Sequence, residues 1–211
     1  TMFHRRPLLM IMLVALVATG SLPGLARAET FIDLYGGGAF PMDSDTTITG
    51  PNYIIIGQSS YKDSFVFGGR VGYYFDRAVP WLGLALDVSY FKADIDLPNG
   101  AKNDVVPVSL LLMLRAPLVQ SPEFPRGRLQ PFVGIGPSFV YSKSKAGADS
   151  DTSFNVGFDM HLGLTWMLTR NIGVFGEYRF SYVQPDYDLD GEQVEPEFGV
   201  NHIAAGLTFR F

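Results

Sequence analysis

After residue 28, apolar side chains recur at every second position, yet no stretch there holds eighteen consecutive apolar residues. A period of two places a segment's apolar side chains on one face of an extended ribbon. A helix crossing a hydrocarbon core needs roughly 20 apolar residues. A chain that is 47% hydrophobic and 14% aromatic therefore has its apolar surface on strands. That surface meets either the inside of a soluble sheet or the acyl chains of a membrane.

The opposite face of each strand distinguishes the two. Ile203, Ala205, Leu207, Phe209 and Phe211 share a face, while His202, Gly206, Thr208 and Arg210 share the other. Phe158, Met160, Leu162, Leu164 and Trp166 oppose Asp159, His161, Gly163 and Thr165. Ile172, Val174 and Tyr178 oppose Glu177 and Arg179, Leu86 and Val88 oppose Asp87, and Val71 and Tyr73 oppose Arg70. Ile32 and Leu34 oppose Asp33; Leu112 and Leu114 oppose Arg115, with Leu111 and Met113 blurring the pattern there. Soluble sandwiches and lipocalin-like barrels turn the apolar face inward. Here one face is bulky, with aromatics near strand ends, and the other mixes glycines with isolated charges, as in a transmembrane barrel.

The alternation predicts eight strands, near 30–40, 62–75, 81–95, 104–116, 128–142, 154–168, 171–184 and 199–211. The expected fold is all-β: one closed, eight-stranded, antiparallel, up-and-down transmembrane β-barrel. Closure is required because every backbone amide in hydrocarbon must be paired. Short links at 76–79 and 169–171 and a Pro-rich turn from Pro117 to Gly127 alternate with longer polar links at 41–61, 96–103, 143–153 and 185–198. Short periplasmic turns and long outer loops have this pattern, and an even strand number leaves both termini in the periplasm.

Residues 1–28 look like an export signal. His4, Arg5 and Arg6 precede an apolar run from Leu8 to Ala18, and Ala26-Arg27-Ala28 supplies small residues for cleavage after Ala28. Eleven apolar residues are too few to span a membrane. The barrel domain is then 29–211. Loss of Arg5, Arg6 and Arg27 moves the formal charge from -5 to -8, which gives nucleic acid no electrostatic footprint. With no cysteine, stability rests on burial and backbone pairing.

Gln130-Pro131-Phe132-Val133-Gly134-Ile135-Gly136, Glu177-Tyr178-Arg179-Phe180 and Gly206-Leu207-Thr208-Phe209-Arg210-Phe211 resemble the OmpA-like eight-stranded outer-membrane barrel family, across essentially residues 30–211. The resemblance implies the outer membrane of a Gram-negative bacterium, with surrounding lipid and lipopolysaccharide as partners. It also implies an assembly signal, read by the barrel assembly machinery, made of a glycine and two terminal aromatics. Gly206, Phe209 and Phe211 match it, but Ala204 stands where a polar residue is expected. No peptidoglycan-binding domain is expected after Phe211.

Eight strands enclose a space that side chains fill or nearly fill. Asp33, Asp87, Asp159 and Glu177 against Arg70, Arg115, Arg179 and Arg210 predict an ion-paired plug, while lumen glycines leave room for water and for a narrow channel for small or hydrophobic solutes. Some barrels of this size modify lipid A. However, His161 and His202, the histidines beyond the leader, have no serine one or two residues away of the kind lipid A deacylases carry. The expected role is non-enzymatic and needs no cofactor: a structural, surface-exposed protein whose loops meet host or cell-surface ligands.

Two loop features stand apart. Asp186, Asp188, Asp190, Gly191 and Glu197 spell D-x-D-x-D-G-x5-E, a spacing that directs several oxygens at Ca2+. Gln193 at the usual apolar position, Pro196 within the loop and flanking strands argue instead for a solvated acidic loop. Tyr53-Ile54-Ile55-Ile56, in the first long link, reads as a hairpin extended above the membrane, with a partner-binding patch as the alternative.

Overall fold

The computed structural model describes residues 29–42, 44–50, 53–59, 61–75, 79–94, 102–146, 149–183, 187–189, 192–196 and 198–211. Residues 1–28, expected to be an export signal, and Asp186, Asp190 and Glu197 of the calcium-type motif lie outside them, and of Asp188 only the backbone is described.

Among the described residues, twelve strands follow one another: β1 (Glu29–Pro41), β2 (Ser44–Gly50), β3 (Tyr53–Ser59), β4 (Ser64–Tyr74), β5 (Leu82–Lys92), β6 (Lys102–Arg115), β7 (Leu129–Ala146), β8 (Asp149–Met167), β9 (Ile172–Val183), β10 (Tyr187–Leu189), β11 (Glu192–Pro196) and β12 (Phe198–Arg210). Eight of them close a barrel in the order β1-β12-β9-β8-β7-β6-β5-β4. The seam pairs β1 with β12 antiparallel, from Phe31 opposite Arg210 to Pro41 opposite Val200. Phe211 N and Thr30 N each donate to the other's carbonyl, so the last residue is tied to the start of β1.

The eight barrel strands are those the alternation predicts, and parity places the faces. Leu162 is 57% exposed and Ile203 64%, whereas Asp33 is 3% exposed and Arg70 2%. An exterior of this kind is stable only against acyl chains. Aromatics cluster towards both ends of the greasy band: Phe139 stacks on Phe154 and Phe67 tilts against Tyr90 at one end, while Tyr73 meets Phe75 edge-on at the other.

Two links differ from expectation. Strands β7 and β8 continue through most of 143–153, leaving two residues between them. The sequence there is polar throughout, so no apolar alternation marks it. The first and last long links also contain strands, and β10-β11-β2-β3 form a separate four-stranded sheet. Ile48 lies opposite Ile55 in the β2–β3 hairpin, and Val194 of β11 lies opposite Ile48. The Tyr53–Ile56 segment is thus part of a hairpin, as expected, and that hairpin pairs with the last link.

The interior corrects the view of glycines as water space. The Phe132 ring occupies the position beside Gly163, the Phe175 ring that beside Gly206, and Phe31 that beside Gly72. Leu111 and Met113, which blur the pattern of β6, belong to the interior core with Phe31, Tyr74, Phe132 and Phe175. A Cβ on Gly72 would stand 2.5 Å from the Leu84 carbonyl oxygen and 2.6 Å from Phe31 Cζ. The carbonyl cannot retreat without breaking the ladder. Gly72→Val is therefore expected to destabilise the refolded barrel by about 1–3 kcal/mol in a urea titration; an unchanged midpoint would show that the lumen has slack.

Candidate functional site

All eight charges assigned to the lumen by parity are buried: Asp33, Arg70, Asp87, Arg115, Asp159, Glu177, Arg179 and Arg210. The structure brings five of them into one belt. Arg70 on β4 donates from Nε to Asp33 Oδ2 at 2.9 Å and from Nη2 to Glu177 Oε2 at 3.0 Å. Arg179 on β9 donates from Nε to Glu177 Oε1 at 2.5 Å and from Nη2 to Asp87 Oδ2 at 3.0 Å. Glu177 therefore bridges both guanidinium groups. Tyr35 completes the belt: its hydroxyl donates to Asp87 Oδ1 at 2.8 Å and accepts from Arg179 Nη1 at 2.7 Å, and Arg179 lies over its ring at 3.7 Å.

These contacts cross the barrel. In the closed order, β9 and β5 stand four places apart in a ring of eight, so Arg179 and Asp87 join opposite walls. Strands β4 and β8 are likewise opposite, and Arg70 Nη1 meets His161 Nδ1 at 3.1 Å. Apolar layers lie on both sides. Toward the termini, Phe132 and Phe175 sit 5.2 and 5.6 Å from the Arg70 guanidinium carbon. Toward the long links, Ala39, Val66, Phe91, Val105, Val140 and Val200 form a second buried cluster.

Pairing of four acids with four arginines does not form. Arg115 pairs with Glu29, a residue the sequence reading did not single out, and also donates to Gln130 Oε1 at 3.4 Å. Arg210 lies over Phe31 at 4.7 Å and Tyr74 at 5.5 Å, and its Nε and Nη1 have no hydrogen-bond partner. Asp159 meets Ser109, not an arginine. The cause is height along the strands. Arg115 and Arg210 sit near the termini, where Glu29 is the acid within reach, while Asp159 sits on the far side of the belt. Glu29 gives no local signal, because its partner lies three places round a ring that exists only after closure.

A closed eight-stranded barrel with a greasy exterior and an ionic, cross-linked interior is an integral membrane barrel of the outer-membrane type. The outer membrane protein beta-barrel domain family matches residues 12–211, and the chain belongs to that family. Among solved structures, Neisserial surface protein A is similar with a TM-score of 0.55 and 12% identity, covering 86% of this chain and 97% of that one. OprG from Pseudomonas aeruginosa is similar with a TM-score of 0.57 and 18% identity, covering 88% and 97%. At these identities the likeness shows the fold alone. No curated protein sequence matches the chain.

Proposed function

We propose that the chain is a non-conducting, non-enzymatic surface protein of the outer membrane, whose barrel is a plugged anchor for its outer segments. The observation that carries this reading is the belt of Arg70, Arg179, Asp33, Asp87, Glu177 and Tyr35, which joins opposite walls through direct hydrogen bonds. An ion would have to break several charge-assisted bonds at once in a water-poor interior, where each is stronger than in water. Both histidines support a structural role. His161 faces Arg70, and His202 packs edge-on against Phe91 at 4.9 Å.

The outer segments supply the surface. By sequence, 42–63, 92–104, 143–152 and 184–198 hold fourteen acids and five lysines. Such a surface meets anionic lipopolysaccharide through divalent cations and meets basic host or cell-surface ligands directly. Gly206, Phe209 and Phe211 serve the barrel assembly machinery; Phe211, 69% exposed, is presented on the outside.

Planar-bilayer recording of refolded protein tests the plug. No sustained single-channel steps are expected from the native chain, and Arg70→Ala/Arg179→Ala is expected to conduct. Sustained steps from the native protein would establish a narrow channel instead.

A further inference from the structure

Asp159 differs from every other buried acid in the barrel. Asp33, Asp87, Glu177 and Glu29 each lie against an arginine. Asp159 is 4% exposed and has no cationic partner among the described residues. Its Oδ2 accepts from Ser109 Oγ, and its Oδ1 is buried with no hydrogen-bond partner. A buried carboxylate in this state is costly unless something positive meets it.

A linked pair of serine hydroxyls lies against it. Ser138 Oγ lies 3.0 Å from Ser109 Oγ, and both serines are 1% exposed. If Ser138 donates to Ser109 and Ser109 donates to Asp159, each of the two hydroxyls keeps lone pairs for an acceptor role. Ser181, also buried, stands directly opposite Asp159 in the β8–β9 register, and Gly136 stands opposite it on β7. A Cβ on Gly136 would strike the Leu110 carbonyl oxygen, so that carbonyl leans to the lumen side of the β6–β7 pair. The ladder is interrupted between Ser109–Ser138 and Leu112–Ile135. Pro137, which faces Leu110 in that register, has no N–H to donate.

We propose that Asp159, with Ser109 and Ser138, holds one small monovalent cation of the sodium class. Hard oxygens suit a hard, non-transition cation. One carboxylate neutralises one positive charge, whereas a divalent ion would leave a buried excess. Nor do three His, Cys, Asp or Glu side chains gather anywhere among the described residues to hold a divalent ion. With the ionic belt below and the Val66–Phe91–Val200 layer above, the ion is occluded. It acts as a fixed counter-charge, not a permeant one.

The test is thermal unfolding of the full refolded barrel in detergent, in sodium chloride against choline chloride at matched ionic strength. A ligand bound only by the folded state raises the melting temperature with its concentration, here by roughly 3–5 °C for each tenfold rise in sodium above half-saturation. Ser138→Ala keeps the charge but removes an oxygen and is expected to shift that rise to higher sodium; Asp159→Asn is expected to abolish it. Equal melting in both salts overturns the proposal. So does a sodium response that survives unchanged in Ser138→Ala and in Asp159→Asn, or in Ser138→Ala alone should Asp159→Asn not fold, because it then originates at the outer acids.

Discussion

Replacing Arg70 with leucine is expected to lower the unfolding free energy of the refolded barrel by about 3–5 kcal/mol, the range found when one partner of a buried ion pair is removed. The reason lies in what is left behind. Asp33 and Glu177 would each lose a guanidinium donor, at 2.9 and 3.0 Å, and would remain in a space sealed by Phe132 and Phe175. Asp33 Oδ1 already lacks a partner, so Asp33 would lose the one hydrogen bond its carboxylate makes among the described residues. Adding Asp33→Asn and Glu177→Gln to Arg70→Leu removes the stranded charges and is expected to recover more than half of the loss. Urea titrations of the native, single and triple variants in lipid vesicles measure both steps. A single variant within about 1 kcal/mol of native would show that the belt is hydrated and closes nothing.

That outcome also bears on how far the site could be read from sequence. Parity alone placed Arg70, Asp87, Glu177 and Arg179 inside, because a shift of one residue would put every apolar neighbour on the wrong face. Partner choice was not legible. Arg179 finds Asp87 across the full ring, and the reach depends on closure and stagger, which no local pattern encodes. Asp159 illustrates the limit. Its parity matches that of Asp33, but its height leaves it among Ser109, Ser138 and Ser181 instead of near an arginine. The extra sheet shows the same division: Thr- and Ile-rich β2 and β3 could be read as a hairpin, whereas the pairing of β2 with β11, about 150 residues later, could not. The ends of β7 and β8 were missed because the alternation that reports a lipid face stops where lipid stops.

Leu162→Arg tests the assignment on which every other statement depends. Leu162 lies opposite Val133 on β7 and Tyr178 on β9, and its side chain is 57% exposed. Trp166, four residues nearer the termini, marks the membrane boundary at that end. Four residues rise roughly 13 Å along a strand, or roughly 10 Å in depth at the usual tilt, which puts Leu162 near the bilayer midplane. An arginine there is expected to cost about 2–4 kcal/mol in lipid vesicles. Val156 has the same parity and is 59% exposed, but it sits opposite Phe139 at the outer aromatic band. Val156→Arg is therefore expected to cost only about 0–1 kcal/mol. Solvent exposure alone would make the two substitutions equally harmless, since the side chains are almost equally uncovered. Only acyl chains around Leu162 separate them, so equal stabilities for the two variants would mean that the apolar face does not lie in a membrane.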